Sequence, residues 1–146
     1  MTDLPFGRGG SPLKNLIFRV YKETKLSSLR CVSELDAGPV YLKEPLSLLG
    51  SAEEIYMRAN RLVEKMILQI IRERPEPQIQ QGTITTFKRR NPEQGDWSVA
   101  VSLDEVFDKI RMLDAEGYPP AFVRVGPYKL EFTRASQKYR FGDCGC

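Results

Sequence analysis

The strongest periodic pattern in the chain lies in its middle, over residues 51–73. Apolar side chains recur there at steps of three and four residues, which is the period of a helix that buries one face. Ser51 and Glu54 have the spacing of a capping box at the start, and Pro75 follows the end. The apolar positions are Ile55, Ala59, Leu62, Val63, Met66, Ile67, Ile70 and Ile71. We therefore predict a long amphipathic helix that packs against a sheet.

Shorter patterns precede this helix. Glycine and proline dominate residues 4–10, which predicts a loop, and a short helix begins at Pro12 with Ser11 as its N-cap. The apolar stripe of that helix is Leu13, Leu16, Ile17 and Val20. Residues 26–33 and 40–46 favour strands, joined by a turn at residues 36–39.

A second unit follows the long helix. Residues 83–88 favour a strand, Ser102 and Glu105 predict the start of another helix, and Gly117 is its predicted end. The inward positions of that helix are Leu103, Val106, Phe107, Ile110 and Leu113. Residues 121–125 and 128–134 then favour a hairpin. We predict an α/β chain with one unit at 1–76, a linker at 77–82, a small α+β domain at 83–135 and a tail at 136–146.

Composition narrows the function classes. The net charge of +3 is too small to indicate a dedicated nucleic-acid binder, and no apolar run reaches the length of a membrane span. Three cysteines at irregular spacing favour a reducing cytoplasm. Cys31 is predicted to be a small buried hydrophobe, while Cys144 and Cys146 are too few for a metal site.

Two turn-rich segments carry the candidate chemistry: LPFGRGGSPL at residues 4–13 and ELDAGPV at residues 34–40. In the first, Gly7 and Gly9 allow a ligand to approach the backbone, and Arg8 offers a planar fork to a phosphate or carboxylate. In the second, Asp36 presents a carboxylate on a tight turn, where it could accept a proton. Two alternatives stay open: a flexible surface turn around Arg8, and a turn in which Asp36 binds its own backbone while Gly38 supplies a positive φ.

The order of these segments resembles a known family. LPFGRGGSPL, then ELDAGPV, then a capped amphipathic helix is similar to the latter half of the catalytic domain of 10-formyltetrahydrofolate-dependent formyltransferases. The family includes methionyl-tRNA formyltransferase and formyltransferases of nucleotide-linked amino sugars. Residues 83–93, the helix from Ser102 and GYPPAF at 117–122 resemble the small C-terminal domain of these enzymes. The resemblance covers residues 4–135 and implies part of a Rossmann-like catalytic domain followed by that small domain.

The resemblance also implies roles for individual residues. Asp36 matches the catalytic aspartate, and Gly7, Arg8 and Gly9 match the loop on the substrate side. Leu35, Asp36 and Gly38 would contact 10-formyltetrahydrofolate, the formyl donor, and no metal is implied. In the family an asparagine and a histidine precede the first motif, whereas this sequence contains no histidine. We therefore expect a chain that is truncated at its N-terminus and inactive alone.

The predicted partners follow from the same resemblance. The amine that receives the formyl group is an amino sugar or methionyl-tRNA, and the short C-terminal unit favours the smaller amine. In the alternative function, Lys88, Arg89 and Arg90, with Phe87 and Trp97 nearby, contact RNA or a phosphorylated partner without catalysis. The competing interpretation of this basic run is a solvated strand end. A further possibility is self-association, or pairing with a separate N-terminal half through the face of the helix at 51–73.

Overall fold

Three α-helices and three two-stranded sheets make up residues 1–138, the part of the chain that the computed structural model describes. The elements in chain order are β1 (Phe6–Gly9), α1 (Pro12–Phe18), β2 (Glu23–Leu29), β3 (Val40–Ser47), α2 (Ala52–Glu73), β4 (Thr85–Phe87), a 3-10 turn (Pro92–Gly95), α3 (Leu103–Arg111), β5 (Ala121–Val125) and β6 (Tyr128–Phe132). The chain is thus a mixed helix and strand structure. A doubly wound Rossmann sheet is not observed within residues 1–138.

The prediction of a loop at residues 4–10 is wrong, because β1 lies there and pairs in parallel with β4. Gly7 and Gly9 have φ angles of +79° and +99°, which side chains rarely adopt. A Cβ atom on Gly9 would lie 2.6 Å from the carbonyl oxygen of Phe87. The glycines therefore permit two backbones to approach closely, rather than making this segment flexible.

Both predicted hairpins are confirmed. β2 and β3 are antiparallel, with Thr24 opposite Leu46, and β5 and β6 are antiparallel, with Val125 opposite Tyr128. β2 begins three residues before its predicted start at Leu26 and ends at Leu29.

Helix α2 has the capping box that the sequence predicts. The Ser51 hydroxyl accepts a hydrogen bond from the Glu54 N–H at 3.2 Å, and the Glu54 carboxylate accepts one from the Ser51 N–H at 2.8 Å. The helix packs against the β2–β3 hairpin with Ile55, Ala59 and Met66 buried. Part of the predicted stripe stays exposed in its second half, namely Val63, Ile67 and Ile71. The predicted packing against strands is confirmed for one side of the stripe.

Helix α3 begins at its predicted N-cap, but the burial of its first residue and its C-terminal end differ from the prediction. Its N-cap, Ser102, accepts from the Glu105 N–H at 3.1 Å, but Leu103 is exposed rather than inward. The helix ends at Arg111, well before Gly117, because Met112 and Leu113 leave the helix to join the core. The guanidinium of Arg111 is buried and donates to the carbonyl oxygens of Leu48 and Gly50 at 2.6 and 3.0 Å. This side chain ties α3 to the segment before α2.

One buried cluster draws residues from both sides of the predicted linker. Its largest fully buried side chains are Leu13, Leu16, Ile17, Leu46, Leu48, Ile55, Phe87 and Met112. The division into domains at 77–82 stays a prediction. Cys31 is exposed, so its prediction as a buried hydrophobe is wrong. Most of the predicted tail, including Cys144 and Cys146, lies outside the described residues. Within residues 1–138, no helix has the length and apolar character needed to cross a membrane.

Candidate functional site

The two turn-rich segments meet in the structure. The backbone N–H of Gly9 on β1 donates to the Oδ2 atom of Asp36 at 2.9 Å. Asp36 itself has a positive φ of 55°, in the left-handed region that aspartate tolerates better than most residues. The alternative in which Gly38 supplies the positive φ is therefore wrong. Gly38 is required for space instead, because a Cβ atom there would collide with the carbonyl oxygen of Arg30.

Gln80 joins these segments from a third part of the chain. Its side-chain oxygen accepts from Nη2 and Nε of Arg8 at 2.9 and 3.2 Å. Its side-chain nitrogen donates to the carbonyl oxygens of Asp36 and Gly38, both at 2.7 Å. Next to it, Gln78 and Val40 exchange two backbone hydrogen bonds of 2.7 and 2.8 Å. The segment predicted to be a linker is thus bound to both sides of the aspartate turn.

Sequence reasoning did not identify Gln80 as a site residue. It lies among other polar residues after two prolines, with no motif or periodicity to distinguish it. Its role depends on contacts with residues more than forty positions away in the chain.

The Arg8 guanidinium makes most of its hydrogen bonds with other side chains of the protein. Its side chain is 12% exposed, and its third contact, at 3.4 Å, is to the carboxylate of Glu34, which is 76% exposed. The fork therefore supports the aspartate turn through Gln80. The Oδ1 atom of Asp36 has no hydrogen-bond donor within residues 1–138, so one carboxylate oxygen is available to a reacting group.

The charge of the same carboxylate also acts on the amine of Met1. Burial lowers the pKa of this amine, and the negative charge of Asp36 opposes that lowering. No group of three or more histidine, cysteine, aspartate or glutamate side chains suited to a metal ion occurs in residues 1–138.

The three residues of the basic run, Lys88, Arg89 and Arg90, do not lie together in the structure. Arg89 and Arg90 line a cleft of about 320 Å³ together with Lys14, whereas Lys88 is exposed outside it. Phe87 is buried in the core, and Trp97 packs edge-on against Phe132 with ring centroids 5.1 Å apart. Phe87 therefore cannot stack on a base, and the predicted pairing of basic and aromatic side chains is not formed there.

Replacing Gln80 tests whether the aspartate turn depends on it. We expect Gln80→Leu to lower the free energy of unfolding by about 1–2 kcal/mol, because two backbone carbonyls and the Arg8 guanidinium lose their partner. Gln81→Leu is the matched control: Gln81 is exposed and makes no side-chain hydrogen bond within residues 1–138, so its effect should stay within about 0.5 kcal/mol. Urea denaturation measures both. Equal effects of the two substitutions would contradict the role of Gln80.

Comparisons with known proteins find similarity to methionyl-tRNA formyltransferases. Residues 92–140 match the sequence model of the methionyl-tRNA formyltransferase C-terminal domain. The methionyl-tRNA formyltransferase of Gluconobacter oxydans (strain 621H) is 26% identical over 138 residues, covering 91% of this chain and 44% of that protein. The structure of methionyl-tRNA formyltransferase from Clostridium thermocellum is 52% identical with a TM-score of 0.91, covering 94% of this chain and 61% of that one.

A more distant structure shares the fold. A sugar N-formyltransferase from Shewanella sp FDAARGOS_354 is 13% identical with a TM-score of 0.69, covering 94% of this chain and 59% of that chain. The chain thus spans less than two thirds of these relatives. The resemblance predicted from the sequence is confirmed: this chain is similar to methionyl-tRNA formyltransferases, and its residues 92–140 match the C-terminal domain of those enzymes.

Proposed function

We propose that this chain contributes the aspartate turn and the substrate side of a folate-dependent formyltransferase. The reaction moves a formyl group from 10-formyltetrahydrofolate to an amine. The observation that carries the proposal is the hydrogen bond from the Gly9 N–H to Asp36, which joins the two motifs of the resemblance at one place. The 52% identity with the C. thermocellum enzyme supports it.

The residues beside Asp36 fit the formyl donor in part. Leu35 is 72% exposed next to the carboxylate, and an exposed apolar side chain beside a polar group suits a flat ring with a polar edge. Leu35 and Asp36 would therefore contact 10-formyltetrahydrofolate, which supplies an activated formyl group. Gly38 is buried and its carbonyl accepts from Gln80, so its role is to shape the turn.

The chemistry assigned to this chain is proton removal. When an amine attacks the formyl carbon, the bond from that carbon to the folate nitrogen breaks and tetrahydrofolate leaves. The amine must also lose a proton, and the Oδ1 atom of Asp36 is available to accept it. The Gly9 N–H fixes the other oxygen, and Gln80 holds the backbone of the turn. Gly7 and Gly9 keep β1 close to β4, while Arg8 positions Gln80 instead of contacting the substrate directly.

The oxyanion that forms in this reaction needs its own hydrogen-bond donors. In the family resemblance, an asparagine and a histidine supply them, and the sequence of this chain contains no histidine. Groups that act together in catalysis lose most of their effect when one is missing. We therefore propose that the 146-residue chain does not catalyse formyl transfer alone.

A chimera tests the proposed function. The part of the C. thermocellum protein that this chain does not span would be joined to Met1. We expect the chimera to formylate methionyl-tRNA from 10-formyltetrahydrofolate, and the chain alone to show no turnover. Methionyl-tRNA is the first amine to test because of the identity with the C. thermocellum enzyme, and a nucleotide-linked amino sugar is the second. A folded chimera that formylates neither amine would contradict the proposal.

The alternative function, contact with RNA or a phosphorylated partner through Lys88, Arg89 and Arg90, is supported by one observation. None of these three side chains pairs with a carboxylate in the described part of the chain. Such binding would be compatible with formyl transfer, because both candidate amines are attached to phosphate-bearing molecules.

A further inference from the structure

We propose that Lys14, Arg89 and Arg90 form a specific binding cleft for a phosphate group. The cleft has a volume of about 320 Å³, and its other lining residues are Ser11, Pro12, Tyr56 and Tyr118. The proposal rests on the proposed function only for the identity of the molecule that carries the phosphate.

The backbone of the basic run is held in place by partly buried polar contacts. The side-chain amide of Asn15, which is buried, donates to the carbonyl oxygens of Lys88 at 2.9 Å and Gly10 at 3.0 Å. The Arg90 N–H donates to the Ser11 hydroxyl at 3.1 Å. The backbone of the basic run is thus fixed against the junction of β1 and α1, so little conformational entropy is lost when a ligand binds.

The positive charges in the cleft are not neutralised within residues 1–138. No carboxylate lines it, and Lys14, Arg89 and Arg90 form no ion pair in that part of the chain. Burial and the charge of Arg90 lower the pKa of Lys14, and burial lowers the pKa of Arg90. Like charges held together in a concave site attract an anion, which relieves their repulsion.

Aromatic rings support the cations without neutralising them. The Nζ atom of Lys14 lies 3.6 Å from the centroid of the Tyr118 ring, and the guanidinium of Arg90 lies 4.2 Å from that of Phe18. These contacts orient both groups and leave their hydrogen atoms able to bind an acceptor.

Two tyrosine hydroxyls add a neutral donor. The hydroxyls of Tyr56 and Tyr118 are 2.6 Å apart, so one donates to the other and one hydroxyl hydrogen remains for a ligand. Burial and the contact with Tyr118 raise the pKa of Tyr56, which keeps its proton in place. The cleft thus offers four donor groups: one ammonium, two guanidinium groups and one hydroxyl. A phosphate has more acceptor oxygens than a carboxylate, so it can bind more of these donors at once.

The cleft is adjacent to the aspartate turn. Asp36 bonds to Gly9, and the next residue, Gly10, packs so closely on Arg89 that a Cβ atom there would lie 2.8 Å from the Arg89 Cα. Both sites are therefore attached to the end of β1. We infer that the cleft binds a phosphate of the molecule whose amine approaches Asp36.

Titration calorimetry of the 146-residue chain with pyrophosphate tests the cleft directly. We expect saturable binding that weakens roughly tenfold or more in Lys14→Gln and in Arg90→Gln, because each removes a charge-assisted contact. Lys14→Arg should retain most of the affinity. Arg61→Gln removes the same charge from an exposed position outside the cleft and should change the affinity less than about twofold. Thermal melting verifies that each variant is folded.

A second titration, with a short RNA hairpin, distinguishes the sources of the phosphate. Loss of RNA affinity in the same two cleft variants, with a steep dependence on salt, would support a nucleic-acid phosphate. Loss of pyrophosphate affinity alone would support a small phosphorylated molecule. The proposal would be overturned if neither probe binds, or if Arg61→Gln weakens binding as much as the cleft variants do. Asp36→Asn should leave pyrophosphate binding unchanged, so a failure of formyl transfer is separable from a failure of this cleft.

Discussion

Asp36→Asn should reduce formyl transfer by the chimera roughly a thousandfold, because a general base typically contributes a factor of this order. The amide oxygen that replaces Oδ2 can still accept the Gly9 N–H, which is 2.9 Å away in the native site. The backbone contacts of Asp36 and Gly38 with Gln80 do not involve the substituted side chain. The substitution therefore removes proton acceptance while it preserves the turn.

Single-turnover kinetics with saturating formyl donor and amine measure this effect on the chemical step. Glu34→Gln is the matched control, since its carboxylate is two residues away, exposed, and touches only the rim of the site through Arg8. It should change the rate less than about threefold. If Asp36→Asn melts like the unsubstituted chimera and retains a tenth of its rate, then Asp36 is not the base.

Phe87→Ala should destabilise the fold by about 3–5 kcal/mol, the usual cost of removing a buried aromatic ring. Phe87 is 2% exposed, and its ring packs edge-on against Phe6 with centroids 5.4 Å apart. The guanidinium of Arg19 lies 4.8 Å from the same ring centroid. Loss of the ring leaves a cavity between β1, α1 and β4, at the strands that position Gly9.

Equilibrium denaturation of the 146-residue chain with urea measures this loss. Phe87→Leu refills part of the cavity and should be less destabilising than Phe87→Ala. Tyr128→Ala removes an aromatic ring from an exposed position of β6 and should cost less than about 1 kcal/mol. A cost below about 1 kcal/mol for Phe87→Ala would show that the β1–β4 contact is not part of the core.

Local signals explain which elements could be predicted. The capping box at Ser51, the 3.6-residue period and Pro75 define α2 within a single stretch, and the structure has it from Ala52 to Glu73. The hairpin around Gly126 is equally local. β1 could not be predicted in this way, because its partner β4 is more than seventy residues away and its glycines are typical of loops.

The same distinction applies to the candidate site. The resemblance predicted that the Arg8 and Asp36 segments act together, and the bond from Gly9 to Asp36 brings them into contact. The hydrogen bonds that hold these two segments together could not be predicted. Gln80 has no sequence signature, and the burial of Arg8 depends on that distant partner. The sequence shows Arg89 and Arg90 as a basic run, but Lys14 joins the same cleft only through folding.

The contacts of residues 78 and 80 have a mechanical consequence. Gln78 is hydrogen-bonded to Val40 after the aspartate turn, and Gln80 is hydrogen-bonded to Asp36 and Gly38 within it. Any movement that pulls the segment after α2 away from β3 must break these bonds. The position of the Asp36 carboxylate therefore depends on the position of the chain between α2 and β4. This connection restrains the site and does not serve as a flexible linker.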